Sequence, residues 1–251
     1  MASSSKLGTA QLLFNSAQQM GLNPTWIAPN GLFAISATGQ ERYISFARSP
    51  LNSHTAASLA RNKHSTRLIL ERHNMLNIPF ARPRTHAEAE AFLSQHGKII
   101  AKPVEGSGAR DIHIVTDAAQ LEGLRITKYI LEKYIAGQEV RYLVLNGQVI
   151  GVHLSEYGTS VEATRDLQRV SHEETTWNQV LVSSSLQITE ILGLRFAAID
   201  YMIDAADNAY VLEVNTAPGL KWFHAPSSGP VVDVARLFLE AVIADHDAKV
   251  S

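Results

Sequence analysis

Asp200, Glu213 and Asn215 are the first residues here whose types and spacing point to chemistry. Glu213 and Asn215 stand two apart in AYVLEVN, so on a strand their side chains share one face. If FAAIDYMID and AYVLEVN form a hairpin turning between Ala206 and Asp207, Asp200 lies across from Glu213. Cross-strand neighbours of that kind have Cβ atoms roughly 4.5–5.5 Å apart. Two carboxylates that close repel unless a cation neutralises them or one is protonated. Oxygen-only donors select Mg²⁺ or Mn²⁺. Surface carboxylates on a solvated strand are the plainer alternative, and the apolar character of AIDYMI and YVLEVN weighs against it.

Lys102 lies inside the apolar strand pattern IIAKPV, where an ammonium needs a counter-charge. The loop Gly106-Ser107-Gly108 follows, and backbone without Cβ atoms can approach an anion closely. Strand, lysine, glycine loop and strand make a phosphate-covering hairpin. No lysine follows the last glycine and no helix follows the loop, so it is not a P-loop. In LEKYIAGQEVR, the strand end before Gly137 exposes backbone groups able to read an adenine edge. Glu139 can accept from ribose hydroxyls, and Arg141, on the same strand face, can meet a transferring phosphate. Lys63 precedes them on a helix. Taken singly, an edge-strand lysine and a solvated helix face are the better explanations of Lys102 and Lys63, and a salt-bridged strand also accounts for Glu139 and Arg141. The ten histidines are scattered without metal-ligand spacing, and Ser107 lacks a nucleophile elbow.

The elements that must position these groups follow from periodicity and punctuation. A short amphipathic helix covers 9–21, and LFAIS with RYISF forms a hairpin around Thr38-Gly39. A long helical pattern covers 55–77, with Leu59, Leu68, Leu70, Met75 and Leu76 apolar, stopping before Ile78-Pro79. Thr85 and Glu88 form a capping box for a helix that Gly97 closes. KIIAKPV, DIHIVT and KYILEKYI read as strands, with a short helix from Asp117 to Leu124. EVRYLVLNGQVIGVHL is a hairpin, since Asn146-Gly147 supplies the positive φ angles of a type I′ turn. Residues 156–174 look polar and irregular. Helices are expected over 175–192, ending at Gly193, and over 231–246. Strand pairs interleaved with helices predict an α+β fold.

In this order the blocks resemble the ATP-grasp superfamily of carboxylate–amine ligases, from about Asn62 to Leu220. NKHSTRLILERHNMLNIPFARP is similar to the segment with a phosphate-contacting lysine, a helix and a Gly-Ile-Pro turn, although Asn77 stands where the glycine would be. IIAKPVEGSG resembles the second lysine and its lid loop. ILEKYIAGQEVR resembles the adenine hinge with its ribose acid and arginine, and GLRFAAIDYMID…YVLEVNTAPGL the metal-binding finish. The nearest look is to ribosomal-protein glutamate ligases, glutathione synthetases and cyanophycin synthetases. The resemblance implies two α+β subdomains gripping ATP, with Lys63, Lys102, Gly106, Ser107 and Gly108 on its phosphates. It further implies Glu132 and the backbone of Lys133 and Ile135 at adenine, Glu139 at ribose, and two Mg²⁺ or Mn²⁺ ions on Asp200, Glu213 and Asn215. Lys102 and Arg141 would carry catalysis, and Arg165 and Arg169 would meet a substrate carboxylate. The implied reaction forms an amide through an acyl phosphate, joining an amino acid, peptide or protein tail to an amine. A small-molecule kinase and an ATP-binding module without turnover are the alternatives.

The domains expected are 1–61, a helix and hairpin in place of a full N-terminal α/β domain; 62–132, the lid with its glycine loop; and 133–251, the catalytic part with the metal site. Composition bounds the rest. The 251 residues are 45% hydrophobic and 18% charged, with a net charge of −2. That supports a buried core, argues against disorder, and gives no basic footprint for nucleic acid. Zero cysteine excludes disulfides, thiolate metal sites and a cysteine nucleophile. No apolar run reaches signal-peptide or membrane-spanning length, so a cytoplasmic location is expected. A homodimer is the default guess for assembly, although no residue compels it.

Overall fold

The computed structural model describes residues 8–29, 31–37, 39–48, 50–106, 111–156 and 168–250. The α+β expectation holds. The chain runs α1 (Thr9–Gln19), β1 (Thr25–Ala28), β2 (Leu32–Ala37), β3 (Gln40–Ser45), α2 (His54–Arg61), α3 (Lys63–Arg72), β4 (Phe80–Ala81) and α4 (His86–His96). It continues through β5 (Ile99–Pro103), β6 (His113–Val115), α5 (Ala119–Glu122), β7 (Tyr129–Lys133), β8 (Gln138–Leu145), β9 (Gln148–Glu156) and β10 (Gln168–Ser171). It ends with α6 (Gln179–Leu192), β11 (Phe196–Ile203), β12 (Ala209–Asn215), α7 (Lys221–His224) and α8 (Val234–Val250).

Two compact units form, and they do not follow chain order. The first comprises residues 1–57, 139–200 and 215–251; the second comprises 58–138 and 201–214. The N-terminal stretch thus belongs to the unit that holds the C-terminal helix. Three sheets are present among the described residues, with strand orders β1-β2-β3, β10-β9-β8-β11-β12 and β4-β7-β5-β6.

In the first unit, Leu13, Phe33, Ile44, Leu143, Phe196, Phe223 and Phe238 belong to one buried cluster. Asn52, just before α2, anchors the start of β11. Its amide donates to the Phe196 carbonyl at 2.7 Å and accepts from the Arg195 and Phe196 amides at 2.8 and 3.0 Å. In the second unit, Phe92 and Leu93 of α4 pack with Ile99, Ala101 and Leu131 of the four-stranded sheet.

Local signals account for most boundaries. Asn146 and Gly147 turn the β8–β9 hairpin at φ 49° and 75°, and Leu145 pairs with Gln148. Thr85 accepts from the Glu88 amide, while the Glu88 carboxylate accepts from the Arg84 amide at 2.8 Å. Gly97 and Gly193 close α4 and α6 as expected.

Three expectations fail for identifiable reasons. The continuous helix over 55–77 is two helices. Asn62 leaves the helical region at φ −86°, ψ 101° and caps the second by accepting from the Ser65 amide at 3.0 Å. That helix stops at Arg72, well short of Ile78-Pro79. The resulting turn also moves the buried stripe: it is Thr66, Arg67 and Leu70, while Leu59 and Leu68 are exposed. Finally, the expected irregular stretch contains β10, whose four residues pair with β9 from Gln168↔Glu156 to Ser171↔His153.

Candidate functional site

The second unit gathers a buried ion-pair chain. Lys102 sits on β5, between the apolar residues Ala101 and Pro103, and its ammonium meets Glu132 Oε2 at 2.7 Å. Arg67 Nε reaches Glu132 Oε1 at 2.8 Å. All three side chains are almost fully buried. Burial pushes the Glu132 carboxyl up, but the charges of Arg67 and Lys102 outweigh it and hold the group at about 2. The Arg67 guanidinium also donates to Asn77 Oδ1 at 3.0 Å and to the carbonyls of Val211 and Leu212 at 2.6 and 2.9 Å.

Lys63 opens α3 beside this chain. Its amide donates to the Val104 carbonyl at 2.9 Å and its ammonium to the Gly106 carbonyl at 3.1 Å. Burial pushes the Lys63 ammonium down, and the Glu213 carboxylate opposes that shift. A hollow of about 10 Å³ lies against Lys63, Thr66, Arg67 and Glu213, room for one water at most.

The expected nucleotide residues are placed as follows. Lys63, Lys102, Gly106 and Glu132 come together in this unit. Ser107 and Gly108 lie outside the described residues. The Glu132 carboxylate faces two cations, and the Lys133 amide is spent on the Pro79 carbonyl at 2.9 Å. Ile135 is half-buried just beyond β7. Gly137 admits no side chain, because a Cβ there would run into the Ile203 carbonyl oxygen.

The first unit holds a polar strip on one face of its sheet. Register pairs Glu139 with Ser155 and Ser155 with Arg169; the next row pairs Arg141 with His153 and His153 with Ser171. Alternation puts all six on the same face. Arg141 donates from Nε and Nη2 to the two oxygens of Asp200 at 2.5 and 2.6 Å, and both residues are mostly buried. Arg169 Nη1 lies 3.4 Å from Glu139 Oε1 and also donates to the Ser155 hydroxyl. His153 is fully buried, its ring nitrogens have no hydrogen-bond partner among the described residues, and its ring lies 4.7 Å from Phe223. Burial, then the charges of Arg141 and Arg169, push the imidazole down to about 2.

Of the substrate candidates, Arg165 lies outside the described residues and Arg169 is engaged with the ribose candidate Glu139. Asp200 is on β11, Glu213 and Asn215 on β12, and the Asn215 side chain accepts from the Ala217 amide at 2.9 Å. All three offer oxygen donors, and a carboxylate accepting two bonds from an arginine keeps further lone pairs. Each oxygen is of the kind a hard divalent cation takes, with Asp200 and Asn215 in the first unit and Glu213 in the second.

Arg67 and His153 escaped the sequence reading. Arg67 lies three residues before Leu70, on the stripe where an apolar side chain belongs, and that misfit was the available signal. His153 lies two residues from Ser155 in an alternating strand, a signal equally present.

A family model for the RimK-like ATP-grasp domain matches residues 60–241. A probable alpha-L-glutamate ligase of Aeromonas salmonicida is 27% identical over 208 residues, covering 76% of this chain and 67% of that protein. A D-alanine–D-alanine ligase of Saccharophagus degradans is 28% identical over 193 residues, covering 67% and 59%. The chain thus spans about three fifths to two thirds of the length of these relatives. The solved macrocyclase MdnC of Microcystis aeruginosa MRC, bound with precursor peptide MdnA, superposes with a TM-score of 0.67 at 12% identity, over 94% of this chain and 95% of that one. The family match covers well over half of the residues and takes in both lysines, the glycine loop and the three oxygen-donor residues, so the chain belongs to the family of RimK-like ATP-grasp domains.

Proposed function

We propose that this protein is an ATP-dependent carboxylate–amine ligase that works through an acyl phosphate, acting in the cytoplasm on an amino acid, peptide or protein tail. The observation that carries this reading is the buried Lys102–Glu132–Arg67 chain with Lys63 beside it, a surplus of positive charge in a family of ATP-grasp domains. The relatives named as glutamate and D-alanine ligases, and the macrocyclase bound to a peptide, support the substrate class.

In this mechanism Lys63 and Lys102 hold nucleotide phosphates, the hinge after Glu132 holds adenine and Glu139 holds ribose. A substrate carboxylate oxygen attacks the γ-phosphorus, and the bond to the ADP oxygen breaks. The amine nitrogen then attacks the acyl carbon, gives up a proton, and phosphate leaves with the C–O electron pair. Arg141, fixed by Asp200, stabilises the charge that develops on the transferring phosphoryl group. Mg²⁺ or Mn²⁺ on Asp200, Glu213 and Asn215 supplies further charge neutralisation when bound. No protein nucleophile is required, which suits a chain without cysteine.

The test is an ADP-release screen pairing amino acids with small carboxylates and with peptides, followed by mass spectrometry. ADP release that needs a divalent cation, a carboxylate and an amine, with an amide product, is expected. A stable phosphorylated product formed without an amine would make the protein a kinase. Nucleotide binding without turnover on any pair would make it a binding module.

A further inference from the structure

We infer that Arg67 is a positioning residue for nucleotide phosphate: it is the fixed counter-ion of Glu132 that frees Lys102 to leave that carboxylate for a phosphate. The inference rests on the reading above, in which Lys102 meets the nucleotide. It concerns a residue that never touches the ligand.

Lys63, Arg67 and Lys102 are cations, Glu132 and Glu213 anions, and Lys63 feels the fields of all four others. The set carries a surplus of one positive charge. A buried surplus charge is costly unless an anion arrives to meet it.

Arg67 is held by four acceptors on three separate stretches of chain: Glu132 on β7, Asn77 after α3, and the Val211 and Leu212 carbonyls on β12. Turning it away would strand all four, and its guanidinium cannot lose its proton. Lys102 is different. Among the described residues its ammonium has one charged partner, Glu132, at the end of a flexible four-carbon stem. When a phosphate approaches, Lys102 is the group able to turn. The cost of turning is set by what happens to Glu132. A fully buried carboxylate abandoned by its sole cation would be severely destabilised or would take up a proton. With Arg67 in place, Glu132 keeps a charge-assisted bond at 2.8 Å after Lys102 turns away. Without Arg67, Lys102 and Glu132 become a closed neutral pair, and the lysine is withheld from the ligand.

Arg67 has a second effect through β12. Its bonds to the Val211 and Leu212 carbonyls fix the backbone immediately before Glu213, a metal candidate. One guanidinium therefore sets the positions of two expected ligand-contacting side chains.

Calorimetric titration of the full chain with ADP and, separately, with adenosine tests this. Wild type, Arg67→Met, Arg67→Lys and the double variant Arg67→Met/Glu132→Gln would be compared, with circular dichroism as the check of folding. Arg67→Met is expected to weaken ADP binding by about tenfold or more, with a much smaller change for adenosine. Arg67→Lys, which keeps a buried cation and guards against a misfolded methionine variant, should recover part of the loss. Removing the Glu132 charge in the double variant should recover ADP affinity as well, because Lys102 then has nothing to hold it. Equal weakening of ADP and adenosine, or no recovery in the double variant, would overturn the role of Arg67 while leaving the ligase reading intact. Failure of the wild type to bind ADP at all would overturn both.

Discussion

Arg141 grips Asp200 side-on, Nε to Oδ1 at 2.5 Å and Nη2 to Oδ2 at 2.6 Å, so the guanidinium proposed to face the transferring phosphoryl group is braced by a carboxylate proposed to hold metal. Asp200→Ala therefore removes two things at once. It should abolish ADP release, and it should cost about 3–5 kcal/mol of stability by removing one partner of a two-bond, mostly buried ion pair. Glu213 is only half-buried, so Glu213→Ala should abolish ADP release with a much smaller loss of stability. ADP release and urea unfolding, measured on both variants, separate the two effects.

Glu132 makes stability pH-dependent in a defined window. Its carboxyl is held at about 2 against an ordinary value of 4.5. The unfolded chain takes up this proton first, so the contribution is complete above pH 4.5 and is lost as pH falls from there towards 2. Glu132→Gln should flatten this part of the profile, read from urea midpoints at a series of acidic pH values.

His153 acts in a higher window. Burial and the two neighbouring arginines hold the ring neutral down to about 2, whereas the unfolded ring protonates near 6.5. Below pH 6.5 the unfolded chain therefore gains a proton that the native ring refuses, and stability declines as pH falls. His153→Leu should remove that slope between pH 6.5 and 4.5, where Glu132 does not yet contribute. Thermal unfolding at four pH values in this interval would show it.

Asn62 ends one helix and caps the next. Asn62→Ala should cost about 1 kcal/mol, and Asn62→Asp should retain most of it because a carboxylate oxygen can accept from the Ser65 amide in the same way. Equilibrium unfolding of the two variants gives the comparison.

The sequence was most readable where one residue type has one local job. Asn146-Gly147, Thr85 with Glu88, and Gly193 all act within a few residues, and each boundary fell close to its expected place. Asn62 was missed because an asparagine inside a helical pattern is a poor stop signal on its own. It becomes a boundary when its backbone turns extended and the next residue bonds the Val104 carbonyl, 41 positions away in sequence. The blocks around Lys63, Lys102, Glu139, Arg141, Asp200 and Glu213 could be found because their order along the chain is distinctive. Arg67 and His153 could not be weighed that way. Their importance lies in partners such as Val211 and Arg169, brought near only by the folded backbone.

The alternation of β8, β9 and β10 also acts as a proofreading step in folding. A slip of one residue in β9 would turn His153 and Ser155 to the other side and bring Val152 and Leu154 in against Arg141 and Glu139. Such a sheet would set apolar side chains against the polar residues of β8, so it would be less stable. Molecules whose sheet keeps this register carry the polar strip already assembled.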